Sequence, residues 1–340
     1  MTPLRHRIAL MAKLGEYISG DSENLYNTIE AAYNANAWFT PEYTRLAMNT
    51  LANTMLKEHL ILDWVARYPA IAAESIQAKT VGIVMAGNIP LVGFHDFLCA
   101  YISGHNIKIK LSSKDTVLWK HLLEQLATWD AEFGQQVEIA EMLKNCDAYI
   151  ATGSNNSARY FEYYFKKYPH IIRKNRSSVA ILDGEESEQE LAALAQDINL
   201  YFGLGCRNVT KLYVPKNYNF ESLLTACNAY ISHIDHNKFK NNYDYQLALF
   251  LLNKQYYMTN GHLLLVESEQ IFSPISVVHY EYYDDKKEVL KRLAHDEQIQ
   301  CIAASTREES QGTTPFGNNQ QPGLCDYADG VDTMAFLAQL

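Results

Sequence analysis

Thr80-Val81-Gly82-Ile83-Val84-Met85-Ala86-Gly87-Asn88-Ile89-Pro90, with Gly104-His105-Asn106-Ile107-Lys108-Ile109-Lys110-Leu111 behind it, decides the fold. The first run is short, apolar and β-branched, as a strand buried on both faces should be. Asn88-Ile89-Pro90 then sets an asparagine at a helix cap and a proline just inside it. The helix is expected to run to about Ser103, where Gly104 supplies the stop. Ile107, Ile109 and Leu111 alternate with Lys108 and Lys110, which marks a second strand. Strand, helix and strand within about thirty residues make a βαβ unit, and two strands joined this way lie parallel.

The same texture extends downstream. A helix over Asp115–Asp130 precedes a strand at Asp147–Ala151, and Thr152-Gly153-Ser154 opens another helix, Asn155–Tyr168. Ser178–Leu182 reads as a strand, followed by a helix over Glu188–Phe202 with Leu191, Leu194, Ala195 and Ile198 on one face. Beyond Gly203-Leu204-Gly205-Cys206, strands at Val209–Val214, His262–Glu267, Ile275–Tyr283 and Gln300–Ala304 alternate with helices near Glu221, Tyr243 and Asp285. Upstream, the first 78 residues read mainly as helices, one of them starting at Thr40-Pro41. The fold class is α/β, in two lobes with the seam before Cys206.

Composition narrows the function classes. The 340 residues are 48% hydrophobic, enough for a sizeable core, and this excludes a disordered chain. With 29 Lys and Arg against 39 Asp and Glu, the net charge is −10 and no basic run exceeds two residues, so nucleic acid is not an expected partner. Six cysteines without a CxxC pair suit a reduced, cytoplasmic setting. The most apolar window, Val81–Cys99, is broken by Gly87, Asn88, Pro90, Gly93, His95 and Asp96, and no membrane span is expected. The 23 tyrosines read as packing material.

Three places could carry chemistry. Cys206 ends a glycine-flanked turn, which leaves its sulfur accessible, and Arg207 beside it could favour the thiolate; a structural thiol at a tight turn fits the same residues. Asn88 is either a helix cap alone or a donor aimed into the crevice beyond a strand's carboxyl end, where α/β sheets bind ligands and an oxyanion could be held. Gly153-Ser154 could face a phosphate from a helix N-terminus, or serve as an ordinary cap. No GxGxxG follows a strand and no GxSxG elbow is present. His233 and His236 are spaced for one helix face but read as a solvated helix end, so no metal is expected.

Taken in order, these pieces resemble the aldehyde dehydrogenase superfamily. Ala86-Gly87-Asn88-Ile89-Pro90 is similar to its P-W-N-F-P segment, and Gly104–Ser112 to its G-N-x-V-V-x-K-P-S strand. Thr152-Gly153-Ser154 is similar to its T-G-S turn and Gly203-Leu204-Gly205-Cys206 to G-Q-x-C. Glu269-Gln270-Ile271-Phe272-Ser273-Pro274 resembles E-E-I-F-G-P, and Pro315-Phe316-Gly317 the late P-F-G. The likeness is strongest to the acyl-CoA reductase branch, which contains the fatty-acid reductase of bacterial bioluminescence.

The resemblance implies a Rossmann-type cofactor lobe with an α/β catalytic lobe. Residues 1–176 would hold the N-terminal helices and the NADP(H)-binding lobe, 177–316 the catalytic lobe, and 317–340 a terminal loop and helix. It implies Cys206 as nucleophile and Asn88 as oxyanion donor, with Lys110, Ser113, Gly153, Ser154 and Phe272 toward the cofactor. Where the hydrolytic branch has a glutamate in L-E-L-G-G, this chain reads Ile172-Arg173-Lys174-Asn175-Arg176. Without that base, transfer to a thiol is favoured over hydrolysis. The implied reaction is NADPH-dependent reduction of an acyl-CoA or acyl-carrier-protein thioester to the aldehyde. The oxidative, CoA-acylating direction and a non-catalytic subunit are the alternatives. Serine rather than glutamate at 113 favours NADPH over NADH, unless Ser113 only helps to cap the following helix. Few residues precede Asn88 compared with relatives, so a monomer or dimer is expected.

Overall fold

The computed structural model describes residues 2–307 and 312–340. The chain forms two compact units: residues up to Asn175 together with Pro322–Leu340, and Arg176–Gln321. The seam after Asn175 falls well before the Cys206 turn. Residues 317–340 are divided, with 317–321 in the second unit and the remainder back in the first.

In the first unit, helices Leu4–Ser19, Glu23–Ala35, Pro41–Thr54 and Glu58–Val65 come before the sheet. Thr40 caps the third of these by accepting from the Tyr43 N–H, and Pro41 fills the first helical position, where its missing N–H costs nothing. The sheet strands are β1 (Thr80–Val84), β2 (Asn106–Lys110), β3 (Val137–Ile139), β4 (Ala148–Thr152) and β5 (His170–Arg173), in the order β3-β2-β1-β4-β5. Every pair is parallel, with Ile83 opposite Ile109 and Val84 opposite Lys110. Helix Phe94–Ser103 is apolar on almost every side and buried along nearly its whole length. Gly104 ends it at φ +89, a left-handed conformation that favours glycine.

That helix starts five residues later than the Asn88-Ile89-Pro90 signal indicates, with Gly93 rather than Asn88 at its cap position. Leu91 adopts φ +55, and its N–H donates to the Asp115 carboxylate at 2.7 Å. A left-handed leucine costs roughly 1–2 kcal/mol and cannot continue a right-handed helix, so the chain turns once more before Phe94. Asn88 therefore lies in a loop and is not the helix cap.

The returning terminus is fixed to this unit by a buried ion pair. Arg173, at the end of β5, donates to Asp96 at 2.7 and 3.2 Å, to the Ala328 carbonyl at 2.6 Å and to Thr333 at 2.8 Å. Burial pushes the Asp96 carboxyl up, but the Arg173 guanidinium outweighs it and holds the group below the usual carboxylate range. Tyr68 adds a further tie to the terminus by donating to Asp332 at 2.8 Å.

The second unit holds β6 (Ser177–Ile181), β7 (Val209–Pro215), β8 (Met258–Thr259), β9 (Leu264–Glu267), β10 (Val277–Tyr283), β11 (Ile299–Ala304) and β12 (Thr314–Pro315). Their order is β12-β11-β6-β7-β10-β9-β8, parallel throughout except for the β8–β9 pair. Helix Glu188–Asn199 opens with a capping box from Ser187 and Glu190 and buries Leu191, Leu194, Ala195 and Ile198 in the core beside Leu212 and Val214. It stops at Asn199 rather than Phe202, because Tyr201, Phe202 and Gly203 all take positive φ, at +54, +58 and +72. Tyrosine also departs from a pure packing role: Tyr160, Tyr163 and Tyr164 on helix Asn155–Phe165 are 59–68% exposed. Among the described residues, no helix is long and apolar enough to cross a membrane.

Candidate functional site

In the first unit, three adjacent strands end side by side, in the order β2-β1-β4. The loop beyond β1 carries Asn88, half-buried; Lys110 ends β2 and Ser113 follows in the next segment, both exposed. The turn after β4 carries Gly153 and Ser154. All five residues thus sit at the carboxyl edge of neighbouring parallel strands, the usual ligand edge of such sheets. Ser154 caps its helix, accepting from the Ser157 N–H at 3.2 Å. At Gly153 an added Cβ would lie 2.9 Å from both the Phe161 ring and Ser157 Cβ, so only glycine keeps this path.

The Asn88 loop rests on the segment after β2. The Met85 N–H donates to the Lys110 carbonyl at 3.0 Å. A Cβ on Gly87 would fall 2.6 Å from Ser112 Oγ, so the Ser112 side chain lies directly against the Gly87 backbone. Asp115, 2% exposed, holds the far end of the loop through Leu91. Burial pushes its carboxyl up to about 8, against the pull of the Leu91 N–H. Ser112, not Ser113, accepts from the Lys114 N–H, at 3.3 Å.

In the second unit, Cys206 follows the left-handed run 201–203 and is partly exposed, whereas Cys99, Cys146, Cys227 and Cys301 are buried. Its backbone is tightly held. Ser178 Oγ donates to the Cys206 carbonyl at 3.0 Å, and the Gly205 N–H donates to Asn208 Oδ1 at 2.8 Å. Asn208 Nδ2 in turn donates to the carbonyls of Asp197 at 3.0 Å and Leu200 at 2.9 Å. Arg207 Nη1 is directed at Cys301 Sγ, 3.3 Å away. Burial pushes the Cys301 thiol up, opposed by that guanidinium.

Beneath this loop Asp197 is fully buried and receives the N–H groups of Gly317 at 2.7 Å and Asn319 at 3.2 Å. Asn319 Nδ2 closes the circuit by donating to the Arg207 carbonyl at 3.2 Å. Burial pushes the Asp197 carboxyl up to about 7, against those two N–H donors. Phe272, half-buried, belongs to a segment pinned to the start of β7: Thr210 donates to the Ile271 carbonyl and Lys211 to that of Glu269, each at 2.8 Å.

The seven expected site residues therefore divide, with Asn88, Lys110, Ser113, Gly153 and Ser154 in the first unit and Cys206 and Phe272 in the second. Sequence reading missed Asp115, Ser178, Asp197 and Asn208, which shape the two loops. Asp197 had a signal: it lies three residues after Leu194, on the apolar side of its helix. Asp115 had none, since its partner is 24 residues earlier. The histidine pair also needs correction. His233 is buried against the Phe202 ring, 4.6 Å between centroids, and burial pulls it down to about 3; His236 caps helix Asn237–Leu252.

The fold is that of the aldehyde dehydrogenases. Aldehyde dehydrogenase 21 from Physcomitrella patens, solved with the product succinate, superposes with a TM-score of 0.68 at 14% identity over 90% of this chain and 74% of its own. The Mycobacterium tuberculosis aldehyde dehydrogenase solved with NAD+ gives 0.58 at 14%, over 90% and 74%. Within that fold, residues 22–312 match the family described as Acyl-CoA reductase (LuxC), and the chain belongs to it. A named relative, long-chain acyl-protein thioester reductase 2 of Photobacterium leiognathi, is 23% identical over 177 residues, 47% of this chain; the matched part is 37% of that relative's length.

Proposed function

We propose that the protein reduces acyl thioesters, fatty acyl-CoA or the acyl-carrier-protein equivalent, to aldehydes with NADPH, through a thioacyl link on Cys206. One observation supports this most: within a reductase family, the cysteine at the expected turn is partly exposed and backbone-locked while four others are buried. The Cys206 thiolate attacks the thioester carbonyl, and the oxyanion is met by the Cys206 N–H and the Asn88 amide. The tetrahedral adduct collapses, expelling the CoA thiolate and leaving the acyl group on sulfur. After reduction at that carbon the thiohemiacetal breaks down, returning the Cys206 thiolate and releasing aldehyde. Arg173, where hydrolytic relatives carry a glutamate, is engaged in its ion pair with Asp96, so no carboxylate from that position activates water.

The first unit suits a nicotinamide dinucleotide. Gly153 lets the chain pass close against Phe161 and Ser157 of the helix it opens, and Ser154, Lys110 and exposed Ser113 would hold the pyrophosphate, ribose and 2′-phosphate. Phe272 would lie toward the nicotinamide. The group supplies a hydride to the acyl carbon.

Incubation with a panel of acyl-CoA esters and NADPH tests the proposal, with aldehyde and consumption of NADPH expected. A protein that neither acquires an acyl mass nor oxidises NADPH contradicts it and favours a non-catalytic subunit.

A further inference from the structure

We infer that Asp115 is the positioning residue that sets the Asn88 loop and the Lys110–Ser113 segment against one another. The inference rests on the reading of Asn88 as oxyanion donor.

Asp115 immediately precedes helix Thr116–Trp129, a place where an aspartate normally caps its own helix, yet its side chain makes no capping bond there. It reaches back to Leu91 instead, and its second oxygen is buried without a hydrogen-bond partner. A buried acceptor left half-satisfied is unfavourable unless the structure depends on the bond it does make. That bond secures a leucine at φ +55 whose side chain is only 1% exposed. Leu91 cannot relax without either losing its core position or moving the loop. Its backbone angle therefore fixes where Asn88, three residues earlier, is presented.

The backbone of the same residue serves the neighbouring segment. The Asp115 N–H donates to the Ser112 carbonyl at 3.1 Å, and Ser112 is the residue packed under Gly87. Pulling on Leu91 thus also seats 112–115 beneath the loop, and with it the register of Lys110 and Ser113. Burial raises the carboxyl toward neutrality, so the group acts as an uncharged acceptor and sends no competing negative field toward an oxyanion.

The test uses the full chain with Asp115→Ala and Asp115→Asn. A misplacement of about 1 Å can cost about 100-fold in rate, so Asp115→Ala should lower kcat by about 10- to 100-fold. KM for the thioester should stay within about 3-fold, because Asn88 acts on the transition state. Asparagine keeps the acceptor oxygen and should restore most of kcat. Hydrogen exchange reads the same contact without substrate: amides of 85–91 and 110–115 should exchange at least about 10-fold faster in Asp115→Ala while β6–β11 do not change. Should Asp115→Ala fail to fold, Asp115→Ser replaces it: its hydroxyl keeps a polar group at the site but ends about one bond short of Leu91, and the same changes in kcat and exchange are expected. Native kcat in folded Asp115→Ala, an asparagine variant as slow as alanine, or unchanged exchange at 85–91 would each overturn the inference. Full activity in Asn88→Ala would instead overturn the functional reading, and the exchange experiment would still decide the contact.

Discussion

The Asn88 loop and the Cys206 loop solve one problem with unequal means. Each contains left-handed backbone at residues other than glycine, Leu91 in the first and Tyr201 and Phe202 in the second. Each is braced by a buried aspartate whose carboxyl accepts from backbone N–H, one at Asp115 and two at Asp197. Asp197 has both oxygens engaged, by Gly317 and Asn319, and Asn208, Ser178 and Asn319 add further bonds around Cys206. Asp115 has one oxygen engaged and the other without a partner. The nucleophile's loop is thus braced by several side chains, whereas the buried aspartate of the Asn88 loop contributes one bond. Backbone strain persists only where the surroundings impose it, and the two loops differ in how many groups do so.

The largest expected effect separates chemistry from stability. Asn88→Ala should lower turnover by about 100- to 1,000-fold, through loss of one oxyanion donor. Because Asn88 is not a helix cap, the melting temperature should not fall by the amount that losing a cap would cause. Steady-state rates and thermal melts on one preparation check both; a full rate with a depressed melting temperature would reverse the assignment.

Removing the two braces comes next. Asp197→Ala strands the buried Asn319 N–H and the half-buried Gly317 N–H, and Asp115→Ala one buried N–H, each costing about 1–3 kcal/mol. Urea unfolding should therefore rank Asp197→Ala as roughly twice as destabilising. Equal losses would mean that the difference in hydrogen bonding does not set the difference in rigidity.

Acidity gives a third comparison. Both carboxyls are raised, to about 7 for Asp197 and about 8 for Asp115, against an ordinary value of 3.8. The folded state therefore holds these protons more tightly than the unfolded chain. Their contribution is complete below about pH 4 and is lost as pH climbs through 7 and 8. Melts from pH 5 to 9 should show wild type losing more stability than Asp115→Asn or Asp197→Asn. A parallel slope in the variants would remove these two groups as the cause.

The smallest effect is on cofactor choice. Ser113→Glu adds a carboxylate to the segment that Asp115 seats. It should weaken NADPH by about 10-fold through repulsion of the 2′-phosphate and leave NADH equal or improved. Fluorescence titration with both cofactors decides it, and equal losses would sink the assignment.

Local signals announced much of this architecture. Period-two alternation at Ile107–Lys110, Thr40-Pro41, Gly104 and Ser154 are short-range devices, and each element they mark is present. The start of helix Phe94–Ser103 escaped because Asn88-Ile89-Pro90 has the local chemistry of a cap, while the deciding bond comes from Asp115. The terminus escaped for the same reason, since nothing near Thr333 in sequence shows that Arg173 and Asp96 will hold it. Strands of two to four residues such as β5, β8 and β12 carry too little pattern to be read. In the candidate site, residues at strand ends were legible; the buried groups that brace them were not.

The central claim is that Cys206 carries the acyl group. Intact-mass spectrometry of wild type and Cys206→Ala after exposure to a long-chain acyl-CoA, without reductant, tests it most directly. Wild type should gain one acyl mass that disappears on adding NADPH, and Cys206→Ala should gain none. An equal adduct on Cys206→Ala, or one on wild type that NADPH leaves in place, would contradict the account.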